Sequence, residues 1–231
     1  MPIKVRLDCK VGLPSICNPS YEFKNSNAMA LSTYVKISTV TNLSDARYAA
    51  GMGVDALGFR LEEGQPGYVT PVQFHGITEW LAGVALVGEF LGTDTAVIHE
   101  IAKEYPLDYV QVESEEMLSD LQSLSAKLIV RVNPESIEGR EDLEDYLSQL
   151  CKQVDWVLIE PEGDYSNLPL KDQLTALNLP LVIGFDVSES TLGSLSTGVK
   201  GLALKGGEEE RPGFKDYEEM MDILEALEVD N

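Results

Sequence analysis

Four acids, Glu89, Glu113, Glu160 and Asp186, stand at or near the ends of short apolar runs, and Lys36 and Ser38 sit two residues apart in another. Carboxyl groups in such places suit proton transfer once their surroundings tune them. A serine hydroxyl becomes a nucleophile only beside a base. No base is visible near Ser38, so a packed or capping serine is the plainer reading. A lysine buried at position 36 needs an acidic partner, for which Glu160 and Glu113 are the candidates. Four acids at one mouth offer oxygen ligands for magnesium, calcium or a cationic ligand. Arg60 and Arg131 also lie near run ends, where they would neutralise those acids. Lys205-Gly206-Gly207 pairs a cation with a flexible loop, a combination that holds anions. With two histidines and no His-Cys cluster, no metal or cofactor site is assigned. His75 and His99 fall in helix patterns and are read as surface or helix-packing histidines, and Trp80, Trp156 and Cys151 follow apolar periodicity and are read as packing residues.

These residues belong to a regular alternation of strand and helix patterns. The apolar runs cover 34–37, 54–59, 84–90, 109–112, 128–132, 156–159, 181–183 and 199–204. Each is too short for a helix and rich in Val, Ile, Leu or aromatics, as buried parallel strands are. Amphipathic stretches lie between them. Asn42 caps the first, Thr70-Pro71 opens the second and Thr93 the third, and the stretches 141–153 and 216–227 are the longest. Eight such units in about 200 residues predict an α/β protein, a single (β/α)8 TIM barrel. An open doubly wound sheet is the alternative, but no G-x-G-x-x-G follows the first run. In a barrel the chemistry gathers at the C-terminal strand ends, where the acids, Lys36 and Ser38 fall.

The chain has 231 residues, with 17 Lys plus Arg against 39 Asp plus Glu and a formal net charge of −22. So acidic a surface repels phosphate backbones and anionic lipid, which argues against nucleic-acid and membrane partners. Three cysteines make no disulfide framework, and the composition fits a cytoplasmic protein. Residues 1–28 differ, with four basic groups and two acids. Ser26-Asn27-Ala28 before Met29 reads as an expression-tag scar, which predicts a leader over 1–28 and a barrel over 29–231. A native extension that covers part of the domain is the alternative.

Three stretches resemble the phosphoribosylanthranilate isomerase family. Val35-Lys36-Ile37-Ser38-Thr39-Val40-Thr41, continuing to Asp45-Ala46, is similar to the family's V-K-I-C-G-[IL]-T-x-x-x-D-A. Gly53–Phe59 with Tyr68-Val69-Thr70-Pro71 is the second, and Pro212-Gly213-Phe214-Lys215-Asp216 is the third. The resemblance implies a barrel of tryptophan biosynthesis that opens an aminoaldose and rearranges it to an aminoketose. It also implies catalytic positions at Ser38, where the family has a cysteine base, and at Glu160, where it has an aspartic acid. The family's carboxylate-binding arginine is replaced by Gly67 and its histidine by Glu113. Its paired phosphate-binding glycines become Gly184-Phe185, followed by Asp186.

Ligand contacts at the mouth are therefore expected from Lys36, Glu113, Gly184, Asp186, Lys205, Gly206 and Gly207, with no cofactor. The expected function is a divergent isomerase-like barrel without the parent activity, binding another small molecule or a partner. The alternative is a working isomerase with Glu160 as acid and an unrecognised base. Nothing in the sequence sets the oligomeric state.

Overall fold

The computed structural model describes residues 30–195, 198–206, 209–211, 214–215 and 218–229. The leader 1–28 and Gly207 lie outside the described residues. Eight parallel strands follow one another around a closed barrel: β1 (Tyr34–Ser38), β2 (Ala56–Arg60), β3 (Ala85–Glu89), β4 (Tyr109–Val112), β5 (Lys127–Val132), β6 (Trp156–Ile159), β7 (Leu181–Ile183) and β8 (Gly201–Lys205). The ring closes where β1 pairs with β8, from Tyr34↔Gly201 to Ser38↔Lys205. Helices α1 (Leu43–Gly51), α2 (Pro71–Thr78), α3 (Thr95–Glu104), α4 (Leu118–Leu121), α5 (Leu143–Leu150), α6 (Leu168–Ala176), α7 (Leu192–Leu195) and α8 (Glu218–Ala226) alternate with them. A small antiparallel pair, β9 (Glu209–Arg211) and β10 (Phe214–Lys215), precedes α8. The alternation read from the sequence is thus the (β/α)8 barrel.

Local sequence starts the helices. The Asn42 side chain accepts the N–H of Asp45 at the head of α1. Thr70 and Gln73 cap α2 reciprocally, with Pro71 at its first position. The third helix begins one residue later than Thr93 suggests, because Asp94 supplies the cap by accepting the N–H of Ala96. The stretch 141–153 forms a shorter helix, α5, which buries Leu147 and Leu150. Trp80, expected to pack, is 65% exposed, since it follows the end of α2 and no longer shares that helix's buried face. No helix of the described residues is long and apolar enough to cross a membrane.

Two periodicities divide the core. Along each strand alternate residues face the helices, where Val35, Ile37, Leu57, Phe59, Val110 and Val112 join one large apolar cluster. The intervening residues fill the barrel. Ala56, Val87, Ile129, Trp156, Leu158, Val182 and Ala203 form a second cluster, packed against Tyr34, Ala85 and Tyr109. Trp156 is fully buried, with the Tyr34 and Tyr109 rings 5.6 and 5.9 Å away. The N-terminal strand ends are stitched by a recurring device. Asp55, Asp108 and Asp155 stand just before β2, β4 and β6, and their carboxylates accept the N–H groups of Val35, Leu86 and Leu128 at 2.9, 2.8 and 3.2 Å. The apolar lower barrel is therefore fixed in register, and polar inward positions remain for its C-terminal mouth.

Candidate active site at the barrel mouth

Counting by two along the strands carries the inward face upward from the apolar cluster to Lys36 and Ser38 on β1, Arg60 on β2 and Glu89 on β3. On the remaining strands it reaches Gln111 and Glu113, Arg131, Glu160, Gly184 and Lys205. Most of these are buried: Lys36, Ser38, Glu89, Gln111, Arg131 and Glu160 all expose less than a tenth of their surface. Buried charges survive only when paired. Here they form one chain across the mouth.

Lys36 Nζ lies 2.5 Å from Glu89 Oε1 and donates also to Ser38 Oγ at 2.8 Å. The Ser38 hydroxyl in turn donates to Glu160 Oε1 at 2.8 Å. Arg131 Nε donates to the Glu160 carbonyl at 3.2 Å and lies 3.6 Å from its Oε2, while Arg131 Nη1 pairs with Glu113. Glu89, Lys36, Glu160, Arg131 and Glu113 thus alternate in sign, with Ser38 as the neutral link. The lysine partner is Glu89, not Glu160 or Glu113, which corrects the sequence expectation. The physical reason is Gly58 on the intervening strand. A Cβ there would stand 1.9 Å from Glu89 Oε1, so only glycine lets the β3 carboxylate reach across β2 to β1.

Glu89 has a second duty. Its Oε2 accepts the Thr39 N–H at 3.2 Å and the Thr39 hydroxyl at 3.1 Å. Thr39 has φ 56°, a left-handed conformation rare for a β-branched residue, at the position where the resembled motif carries glycine. The strain is held by the buried carboxylate below it. Thr39 Cγ2 also fills space beside Gly67, whose φ is +76°; a Cβ at 67 would meet it at 2.8 Å.

Burial pushes the Glu113 carboxyl above its ordinary range; Arg131 opposes the shift, and Glu162 adds to it. Gly184 follows β7, and its N–H is spent on the Ile159 carbonyl at 2.8 Å. Asp186, with φ 50°, turns its carboxylate onto the Asn167 N–H at 2.7 Å, while its carbonyl accepts from the buried Lys171. This loop satisfies itself. Lys205 Nζ donates to the Glu162 carbonyl at 3.2 Å, and the Gly206 N–H donates to the Ser38 carbonyl at 3.0 Å.

A cavity of about 540 Å³ opens above the chain, lined by Ser38, Thr39, Arg60, Gly67, Arg131, Glu160, Glu162, Lys205 and Gly206 among others. Asp186 and Gly184 line an adjoining hollow of about 300 Å³ with Phe185 and Tyr165. Glu113 faces a third, of about 370 Å³, together with Glu115, Glu116 and Glu162. Of the residues named from sequence, Lys36, Ser38, Glu113, Glu160, Lys205 and Gly206 are therefore brought together, whereas Gly184 and Asp186 line the side hollow and Gly207 is not described. Sequence reasoning did not pair Glu89 with Lys36, although its place at the end of an apolar run was visible. It also missed Glu62, whose Oε2 accepts the Leu91 and Gly92 N–H groups at 2.9 and 3.2 Å and ties two mouth loops together. Among the described residues no group of three or more His, Cys, Asp or Glu is arranged to hold a metal ion.

Chemically, Ser38 is an uncharged hydroxyl whose proton and lone pair are both engaged. Glu160 is the group beside it able to carry a proton, and it is braced by Arg131.

No protein-family model matches the chain. The N-(5'-phosphoribosyl)anthranilate isomerase of Pelobacter propionicus is 38% identical over 105 residues, 44% of this chain and 50% of that protein. The chain spans about half the length of the first relatives that it matches. The enzyme of the same name from Pseudomonas putida is 28% identical over 211 residues, 83% of this chain and 96% of the relative. The crystal structure of phosphoribosyl anthranilate isomerase from Thermus thermophilus superimposes with a TM-score of 0.68 at 24% identity, covering 84% of this chain and 98% of that one, and shares the barrel. With named relatives along most of its length, the chain is similar in sequence to the phosphoribosylanthranilate isomerases, and it shares their closed barrel.

Proposed function

We propose that this barrel does not isomerise phosphoribosylanthranilate and that its mouth binds a different small molecule. The observation that carries the reading is the state of Ser38. At the position where the family resemblance puts the base stands a hydroxyl held between Lys36 Nζ and Glu160 Oε1, each 2.8 Å away. A thiol with a pKa of about 8.5 yields thiolate readily, whereas a serine hydroxyl so engaged takes no proton from carbon. The phosphate side supports the same reading, because the Gly184 N–H is used within the sheet and Asp186 adds a negative charge to the adjoining hollow.

The Ser38–Glu160 contact also favours a second reading, a working isomerase in which Glu160 moves the proton. Growth separates the two. A strain lacking the isomerase and carrying this chain should fail to grow without tryptophan; growth would establish the second reading.

A further inference from the structure

A serine at the floor of the mouth cavity lies between a carboxylate and an ammonium group. Ser38 lines that cavity while exposing only 2% of its surface, so the cavity is its route to a reactant. Its hydroxyl donates to Glu160 Oε1 and its oxygen accepts from Lys36 Nζ, each at 2.8 Å. The base that the sequence did not reveal beside Ser38 is therefore Glu160, 122 residues away in the chain.

An alcohol becomes a nucleophile when a base within hydrogen-bond reach takes its proton and a third group orients that base. Glu160 meets the first condition. Arg131 meets the second, with Nε donating to the Glu160 carbonyl at 3.2 Å and lying 3.6 Å from Oε2. Lys36 contributes further, since a cation beside an oxygen favours its ionised form. Glu89, 2.5 Å from Nζ, holds that cation in place. A hydroxyl oxygen has two lone pairs. Lys36 takes one, and the second is left for an electrophile.

We propose that Ser38 is a nucleophile that accepts acyl groups from small esters entering this mouth, with Glu160 as its base. The inference rests on the reading of the mouth as a small-molecule site and names a substrate class for it. Ser38 Oγ attacks the ester carbonyl carbon as its proton passes to Glu160 Oε1. The bond from that carbon to the alcohol oxygen breaks, and Glu160 returns the proton to the departing alcohol. Water then attacks the acyl-serine carbonyl and loses a proton to Glu160. The carboxylic acid leaves as Ser38 Oγ recovers that proton. The backbone narrows the substrate. The N–H groups of Thr39, Gly184 and Gly206 are already bonded to Glu89, Ile159 and Ser38, so a developing oxyanion meets side-chain donors instead of these. Esters with a readily departing alcohol suit such a site; amides do not.

The test mixes the whole protein with excess p-nitrophenyl acetate and follows p-nitrophenolate release together with the mass of the acid-quenched protein. A burst approaching one p-nitrophenolate per chain should appear, with a single acetyl group on the peptide that carries Ser38. Ser38→Ala should abolish the burst. Glu160→Gln should slow acylation by about 10²–10⁴-fold while its circular dichroism stays that of the wild type. The position of the acetyl group is read on the wild type, so it decides the matter even if neither variant folds. Absence of a burst, an acetyl group on another residue, or acylation of Glu160→Gln at the wild-type rate would overturn the assignment. None of these outcomes bears on the absence of isomerase activity, which growth and turnover measure separately.

Discussion

Lys36 Nζ and Glu89 Oε1 lie 2.5 Å apart inside the barrel, with 0% and 3% of their side chains exposed. They come from β1 and β3 and meet across the glycine of β2. This pair is the inner end of the charge chain whose outer end, through Ser38, Glu160 and Arg131, reaches Glu113. The mouth therefore rests on charges that the fold must keep paired.

Breaking the pair from one side should be severe. Lys36→Met leaves the Glu89 carboxylate buried with Thr39 as its remaining donor and should cost about 3–5 kcal/mol in urea unfolding. Lys36→Met with Glu89→Leu removes both charges and should recover most of that loss. Additive losses in the double variant would show that the two residues are not coupled.

Gly67 should resist substitution. With φ +76°, any side chain there incurs left-handed strain of about 1–2 kcal/mol, and its Cβ must also displace Thr39 Cγ2. Gly67→Ala should lower the unfolding free energy by at least that amount, and by less in a Thr39→Gly background, where the methyl is gone. An equal cost in both backgrounds would contradict the contact. By the same argument, Gly67→Arg alone cannot restore the arginine that the family resemblance expects there.

The barrel was legible because its strands and helices announce themselves by period, and the lower, apolar half of the interior obeys one rule. Positions such as Ser38 and Glu160 were legible because each closes a run. Pairings were not. Glu89, Glu113 and Glu160 look alike in one dimension, and the choice of Glu89 for Lys36 follows from the absence of a Cβ at Gly58. The Ser38–Glu160 bond joins residues 122 apart and has no local signal. Trp80 misled because an apolar period was extended past the last turn of α2.

Glu62 gives a pH signature. Burial pushes its carboxyl upward, but the Leu91 and Gly92 N–H groups and the Thr93 and Gln65 side chains outweigh burial and hold it below the ordinary 4.5. A lowered folded value means that the stabilisation is present above 4.5 and is lost as pH falls through the folded value. Glu62→Gln should therefore unfold more easily than the wild type at pH 7, with the gap closing on acidification below 4.5. A gap of constant size would exclude the linkage.

Cys151 ends α5 half-buried, and burial pushes its thiol up to about 11. At pH 8 it should hold about a hundredfold less thiolate than an ordinary cysteine. In a Cys9→Ser/Cys17→Ser background, reaction with a chromogenic disulfide should be slow until the protein unfolds. Labelling at the rate of a free cysteine would contradict this.

The most direct measurement is turnover itself, the loss of phosphoribosylanthranilate fluorescence with purified wild-type protein in excess. A lost base is worth about 10²–10⁴ in rate, and a lost electrostatic contact about 10²–10³. Decay should be no faster than in buffer, for the wild type and for Ser38→Cys alike. Saturable acceleration by the unmodified protein, abolished in Glu160→Gln, would contradict it and assign the proton transfer to Glu160.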